Sequence, residues 1–593
     1  MNKKIKITLS FLFKNSIQYK PSFLMVYLLD IVVKVILPFV NIFFPKYLIA
    51  ELLGTRQMKM IILYVACIVV GNTCIGFLSV YLQERLNKNY YEDFGRYFDA
   101  MLSKQDMMIP YHYTEDKDIR TKSQRARDGL GIQSGGVGGI ATCVSSIIIN
   151  ALLLLGTCGV LIANTPLIFL IVVGIVIIYY SNKKINAIQF KYFEEISENN
   201  RNYQYTLFNL SHIKYGKDIR LYQAQDVMLR QADYYNQNMA QIGRVQAKEK
   251  LVWLEIGRWV MALRESGTFL YLGYLGIKGI IAIADFMMLV NASNTFGNSL
   301  NAIISQIQDL SKKIQFAYDY VDFLQMEWEK KDGTKIPNND KIHSIEFKHV
   351  TFAYPGNDKK VLDDVSVTIN AGEKISIVGF NGAGKSTFIK VLCRLYTINE
   401  GEILVDGINI NDFSLEEYYK LISVVFQDFV VLAFSVKDNI LLGDSENTSD
   451  GDIMPLIEQV GLEKKINALP MGINTPVYKW YDVRGFEPSG GEQQKMVMAR
   501  AIYKAGSIVI LDEPTAALDP IAEAEIYEQF NDMVDNKTAL FISHRLSSCK
   551  FCDRILVFEN GKIIENGTHK ELLEYQNGVY AMMYQTQAQY YQK

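Results

Sequence analysis

Apolar and polar positions fall into two regimes along this chain. Up to about residue 310, apolar runs approach the roughly 20 residues a helix needs to cross a bilayer; beyond it, short apolar runs alternate with polar turns, as in a soluble α/β protein. The runs predict membrane-spanning helices at about 22–49, 58–83, 137–163, 165–184, 252–276 and 282–306. The connections at about 84–136 and 185–251 are long and rich in Lys and Arg, whereas the turn at Asn164, Thr165 and Pro166 carries no charge. Long basic connections belong inside, so the expected topology is a multi-pass protein of the plasma membrane with both termini cytoplasmic. The first twenty residues agree: they carry Lys3, Lys4, Lys6, Lys14 and Lys20, no acid, and no following small-residue cleavage site. That is an inside-facing start, not a removed signal peptide.

Polar residues inside the spans are few. Asp30 and Lys34, four apart on one helix face, can neutralise each other or touch a substrate. Glu255, Arg258, Arg264 and Glu265 make the fifth span too polar for lipid on all sides, so they are expected to face protein or a hydrated cavity. On the sixth span Asn291, Asn294, Asn298, Asn301, Ser305 and Gln308 recur every three or four residues and give one polar face. Such a face serves as hydrogen-bonding glue between helices or as a wetted pathway; so many adjacent amides favour the pathway.

Around Met326 to Asp340 the sequence turns polar, with Glu-Lys-Lys-Asp-Gly and then Pro337-Asn-Asn-Asp. This places a transmembrane domain at 1–325, a linker at 326–342 and a second domain at 343–593. Alternation from Ser344 to Phe352 predicts a half-buried strand leading to Tyr354. The net charge of −2 gives no sign of nucleic-acid binding. The seven cysteines are scattered and suggest no disulfide framework, and Cys549-x-x-Cys552 lacks the second Cys or His pair of a metal site.

The chemistry begins after the apolar run Ile375 to Val378. Gly379-Phe-Asn381-Gly382-Ala383-Gly384-Lys385-Ser386-Thr387 fits the phosphate-binding loop G-x-x-x-x-G-K-[ST] at every required position. Glycines let successive N–H groups curl around a polyphosphate, and the following helix points its positive end at the same anion. Lys385 would reach the β- and γ-phosphates, and Ser386 would offer a hydroxyl to Mg²⁺. Ser507 to Leu511 is an apolar strand ending in Asp512 and Glu513. Asp512 is placed for the metal, and Glu513 for orienting an attacking water.

Between these motifs stands Pro488-Ser489-Gly490-Gly491-Glu492-Gln493, ahead of a helical run. It resembles the Leu-Ser-Gly-Gly-Gln signature of ATP-binding cassette (ABC) proteins, and with six preceding spans the whole chain resembles a half-size ABC exporter. The resemblance implies a multidomain protein: an all-α six-helix transmembrane domain followed by an α/β P-loop NTPase domain. It also implies ATP and Mg²⁺ as cofactors, adenine stacking by Tyr354, and a link from Mg²⁺ to the membrane domain through Gln427. Further implied roles are an inter-cassette loop around Asp519, a γ-phosphate contact from His544, and signature contacts in trans from Ser489, Gly490, Gly491 and Glu492. The polar stretches 110–118 and 214–222 correspond to the exporter's coupling helices. Pro488 and Glu492 depart from the usual Leu and Gln. In exporters built from two different chains, the chain with the catalytic glutamate carries a deviant signature, so the resemblance favours a heterodimer with a second half-transporter over a homodimer. The implied cargo is a peptide, a lipid or an amphipathic drug. The family also contains ATP-gated regulators and importers on the same fold, but intact Glu513 and His544 favour turnover. With the first span near residue 22, no N-terminal peptidase domain is expected.

Overall fold

The structure is a computed structural model describing all residues except 1, 132–134, 163–164, 210–214, 329–331, 444–447, 514–533, 535, 544–545, 547, 576 and 592–593. The chain divides into two units, Met1–Met108 with Arg120–Met326, and Ile109–Ile119 with Glu327–Lys593.

The first unit is helical. It comprises α1 (Asn2–Tyr19), α2 (Ser22–Leu53), α3 (Met58–Lys88), a π-helical turn at Asn89–Phe94 and α4 (Gly95–Met108). After α5 (Tyr111–Thr114), which belongs to the other unit, come α6 (Lys117–Gly129), α7 (Gly136–Leu161), α8 (Thr165–Lys191), α9 (Phe193–Gln204), α10 (Gly216–Leu221), α11 (Gln225–Ile277) and α12 (Ile283–Leu324). Leu161, Leu167, Ile171, Leu272 and Ala292 are buried where α7, α8, α11 and α12 meet. By length and composition, Ser22–Leu53, Met58–Met108, Gly136–Leu161 and Pro166–Lys191 are apolar enough to span a membrane. Helices α11 and α12, with 53 and 42 residues, are long enough but more polar.

In the structure the helices extend beyond the apolar spans into the connections. Much of 84–136 and 185–251 is helix: α3 runs on through the π turn to Met108, and α11 starts at Gln225, well before residue 252. Apolar runs mark where lipid ends, not where the helix ends, and a polar helical extension leaves no hydropathy signal.

The second unit carries two sheets. The antiparallel one has the order β2-β1-β4-β5, from β1 (Ile345–Phe352), β2 (Leu362–Ile369), β4 (Glu400–Val405) and β5 (Ile408–Asn409). The other has the order β10-β9-β3-β8-β7-β6, from β3 (Lys374–Gly379), β6 (Ile422–Val425), β7 (Ile508–Asp512), β8 (Thr538–Ile542), β9 (Arg554–Glu559) and β10 (Lys562–Gly567). All its pairings are parallel except β9 with β10. Strands β3, β7 and β8 read as continuous apolar runs because the parallel sheet is covered on both faces. Helix α13 (Lys385–Leu392) is held by Phe388, which stacks on Phe347 of β1 at 4.1 Å and meets Phe558 of β9 edge-on at 5.4 Å. Removing such a buried ring costs about 3–5 kcal/mol, so the helix that follows the phosphate loop is anchored to both sheets.

Candidate nucleotide-binding site

Strand β3 ends in Gly379, whose φ of +148° and lack of a side chain are both needed: a Cβ there would sit 2.2 Å from the Phe558 carbonyl oxygen. Gly384, at φ +105°, is the residue before α13, and a Cβ there would meet the Val361 carbonyl at 2.8 Å. Asn381 and Gly382 are exposed at the loop's crest, while Ala383 and Thr387 are buried beneath it. Lys385, 6% exposed, turns back over the loop and donates to the carbonyls of Gly379 at 2.8 Å and Phe380 at 3.0 Å. Burial pushes its ammonium pKa below the usual value, against the opposing pull of Glu513 and Asp512. A polyphosphate would reverse that desolvation by supplying negative charge.

At the carboxyl end of β7, Asp512 is 3% exposed and its Oδ1 has no hydrogen-bond partner. Burial raises its carboxyl above the usual range, and a hydrogen bond from Ser386 partly offsets this. An orphaned carboxylate oxygen beside a serine hydroxyl is a small, hard donor set. It fits a Mg²⁺ ion that keeps phosphate and water in the rest of its shell. Glu513 follows at φ +50°, a left-handed conformation uncommon for glutamate, and its Oε2 accepts from the Gln427 amide at 2.8 Å. Strands β6 and β7 pair directly, so the residues just beyond them, Gln427 and Glu513, emerge side by side.

Tyr354 lies at the end of β1, its hydroxyl 2.9 Å from Thr387 Oγ1. Its ring meets Tyr396 edge-on at 5.1 Å, and Tyr396 in turn meets Tyr111 edge-on at 5.5 Å. Tyr396 also donates to the Glu115 carboxylate; burial, and then that acceptor, raise its pKa and keep it protonated. The first polar stretch, 110–118, thus joins the tyrosine beside the phosphate loop through one aromatic ladder within the second unit. Sequence reasoning missed Tyr396, which stands in no motif and is 281 residues from Glu115. Aromatic pairs contribute about 0.5–1.5 kcal/mol, so Tyr396→Ala is expected to weaken ATP binding about 2- to 10-fold. Tyr396→Phe should leave affinity unchanged while increasing amide exchange at Tyr111–Thr114. Equal ATP affinity in Tyr396→Ala and the wild type would show that the ladder does not support Tyr354.

Ser489 is the N-cap of α18 (Gly490–Lys504), preceded by α14 (Leu415–Leu421), α15 (Val436–Leu441), α16 (Asp450–Gln459) and α17 (Glu463–Asn467). It forms a capping box: Glu492 Oε2 accepts from the Ser489 N–H at 2.7 Å, and Ser489 Oγ accepts from the Glu492 N–H at 3.3 Å. The Glu492 Oε1 pairs with Lys465 at 3.2 Å. Burial alone would raise this carboxyl, but the Ser489 amide, Lys465 and the Ser489 hydroxyl outweigh it and hold it below the usual range. Pro488 is buried, while Ser489 and Gly490 are exposed. Both departures therefore have a local account: Pro488 is a buried apolar residue, and Glu492 caps the helix as Gln would, with one added charge balanced by Lys465. Asp519 and His544 lie outside the described residues.

In the first unit the Asn face of α12 is used unevenly. Asn291 donates to the Asn41 carbonyl at 3.2 Å, and Gln308 accepts from Asn186 at 2.7 Å, so its two ends fasten helices. Between them Asn298 is exposed, Asn294 is half-buried, and Asn301 Oδ1 is buried without a partner. Asp30 and Lys34 do pair, at 2.9 Å, with Asp30 buried. The second polar stretch is described from Tyr215, with Leu221 and Tyr222 exposed in α10 and just after it.

The ABC transporter family description (ABC_tran) matches residues 362–516. Over 545 residues, 91% of this chain and 88% of the relative, the chain is 28% identical to the subtilin transport ATP-binding protein SpaT of Bacillus subtilis. It is 37% identical to the ATP-dependent lipid A-core flippase of Methylobacillus flagellatus over 244 residues, 41% of each chain. Its fold is similar to the structure of a bacterial Atm1-family ABC exporter with ATP bound, at a TM-score of 0.79 and 19% identity, covering 97% of this chain and 99% of that one. Residues 362–516, which hold this phosphate loop and signature, form an ABC transporter domain, and the domain supports ATP binding and ATPase activity. The whole chain, a helical unit followed by one cassette, is similar to half-size ABC exporters, and such half-transporters work as dimers.

Proposed function

We propose that the chain is one half of an exporter that moves a peptidic, lipidic or amphipathic cargo across the plasma membrane by alternating access, with both termini in the cytoplasm. The observation that carries the reading is the grouping at the sheet's carboxyl end: Lys385 over its loop, the orphaned Asp512 oxygen beside Ser386, and Glu513 held by Gln427. Full-length similarity to a subtilin transport protein, and partial similarity to lipid A-core flippases, support the cargo classes.

In this reading Lys385 binds the β- and γ-phosphates, and Tyr354 stacks on adenine. Glu513 orients the attacking water, and Gln427 reports the state of that carboxylate to the membrane half. Ser386, Asp512 and Gln427 would hold Mg²⁺, whose charge neutralises the phosphate oxygens. Ser489 of one chain, with Gly490 and Gly491, would meet the γ-phosphate held by its partner; its hydroxyl accepts from the Glu492 N–H in the capping box. Asp519 would cross between cassettes and His544 would contact the γ-phosphate. All six long helices of the first unit would span the bilayer, with the polar stretches of α11 and α12 turned from lipid.

The direct test is ATP-dependent uptake of candidate peptides and lipids into inside-out vesicles, with Glu513→Gln as the inactive control. Transport that proceeds equally in that control would remove the ATP-driven reading. Cysteines placed at Asn294, Asn298 and Asn301 in a cysteine-free background are expected to react with a charged thiol reagent. Protection of all three with and without ATP would assign the face to helix packing.

The extra charge at Glu492 supports a heterodimer, because a carboxylate next to Ser489 disfavours a partner's γ-phosphate unless Lys465 stays paired. Purified alone, the chain is then expected to show little substrate-stimulated ATPase, restored by a co-expressed second half-transporter. Full stimulation of the lone chain would establish a homodimer.

A further inference from the structure

Arg264 lies in the part of α11 expected within the membrane, and its side chain is 4% exposed. Among the described residues its guanidinium has one polar partner, the adjacent Glu265, at 3.3 Å, and Glu265 is itself 52% exposed. Among the described residues of this unit Asp30, the other buried charge, is better served, because it has Lys34 at 2.9 Å. A buried charge at membrane depth whose one counter-charge is itself half exposed is costly and marks a place where function sets the residue.

The surroundings are shaped for this side chain. Its head lies on α12 at Gly297, where a Cβ would fall 1.8 Å from Nη1 and 2.8 Å from Cζ. Its stem passes Gly174 of α8, where a Cβ would stand 3.9 Å from the Arg264 Cβ and Cδ. Three residues before Gly297 and four after it, on the same face of α12, stand Asn294 and Asn301, and the Asn301 Oδ1 is buried without a partner. An amide can turn its NH₂ toward an anion as readily as its oxygen toward a donor. A guanidinium with most of its five donors unspent, beside such amides, matches a carboxylate or a phosphate, which it binds through two parallel hydrogen bonds.

We infer that Arg264, seated between Gly174 and Gly297, receives an anionic group, carboxylate or phosphate, of the transported molecule at the level of Asn294 and Asn301. This rests on the proposed reading of the α12 face as the pathway, and it narrows the cargo to molecules that carry such a group.

The test uses the full-length chain, with its partner half where co-expression shows one is needed, in phosphatidylcholine nanodiscs without nucleotide. Four probes share a twelve-carbon chain: dodecyl phosphate, dodecanoate, dodecyltrimethylammonium and dodecyl maltoside. The anions are expected to raise the melting temperature saturably and the other two not, since a ligand of the folded state stabilises it. The stronger of dodecyl phosphate and dodecanoate names the anion. Arg264→Gln is expected to raise the half-saturating anion concentration about tenfold or more, the scale of charged hydrogen bonds. Arg264→Lys should keep most of the response. Gly297→Ala, which leaves the charge in place but fills the position of Nη1, should lose it as Arg264→Gln does. If Arg264→Gln gives no folded protein, the contrast between Arg264→Lys and Gly297→Ala decides the same question. Equal response to all four probes, or an anion response that survives both Arg264→Gln and Gly297→Ala, would overturn the assignment and leave Arg264 a fastener between helices. The export reading fails separately: anion binding through Arg264 without ATP-driven uptake would sink export alone, and uptake indifferent to Arg264→Gln would sink this inference alone.

Discussion

Replacing Glu513 by Gln is expected to lower steady-state ATP hydrolysis about 10²- to 10⁴-fold, the usual contribution of a positioned general base or water-orienting carboxylate, while ATP binding stays near the wild-type level. Glu513 follows a buried strand at φ +50°, and the Gln427 amide holds one of its oxygens at 2.8 Å. Gln keeps the volume and can still accept from Gln427 through its own oxygen, so the geometry survives and the basic site is lost. Interactions made only in the transition state reduce turnover without changing ground-state affinity. The measurement is the rate of phosphate release beside equilibrium binding of a fluorescent ATP analogue, on the assembled dimer. A rate within a few-fold of wild type would place the catalytic carboxylate elsewhere. If affinity fell in parallel with rate, Glu513 would instead be a binding residue.

How far the sequence reached depended on how local each feature is. The phosphate loop was legible because its glycines answer demands that neighbouring backbone imposes: Gly379 against the Phe558 carbonyl, Gly384 against that of Val361. Strands β3 and β7 showed as apolar runs because a covered parallel sheet tolerates nothing else. The capping box was present in the sequence as Ser489-x-x-Glu492, and it explains a departure from the signature that pattern matching alone leaves unexplained. The lengths of α3 and α11 were not legible, because their outer turns are held by packing and polar pairs, which leave no hydropathy signal. Tyr396 and the Arg264 slot were out of reach for a different reason. Each exists only where residues far apart in the chain come together, Tyr396 with Glu115 and Arg264 with Gly297, and neither partner advertises the other.

Replacing Lys385 by Ala is expected to reduce ATP affinity to near background, a loss larger than that from removing Tyr354 or Tyr396. Lys385 is the buried cation of the loop, 6% exposed, and it already gives two hydrogen bonds to loop carbonyls at 2.8 and 3.0 Å. Its removal therefore withdraws a charge from the phosphates and unties the loop that presents their amide donors. A hydrogen bond to a charged group contributes about 1.5–3 kcal/mol. With both the phosphate contact and the loop geometry lost, a fall of two orders of magnitude or more in affinity follows. Lys385→Arg should not restore it, because the longer, planar guanidinium cannot fit between Gly379 and Phe380 as the compact ammonium does. Burial lowers the lysine pKa and phosphate charge raises it, so ATP binding should promote protonation at Lys385 and show proton uptake as the pH rises toward the depressed pKa of the free site. Equilibrium binding and proton uptake measured on the same samples check both parts. ATP affinity in Lys385→Ala within tenfold of wild type would mean that the amides of the loop and the start of α13 hold the phosphates without the lysine.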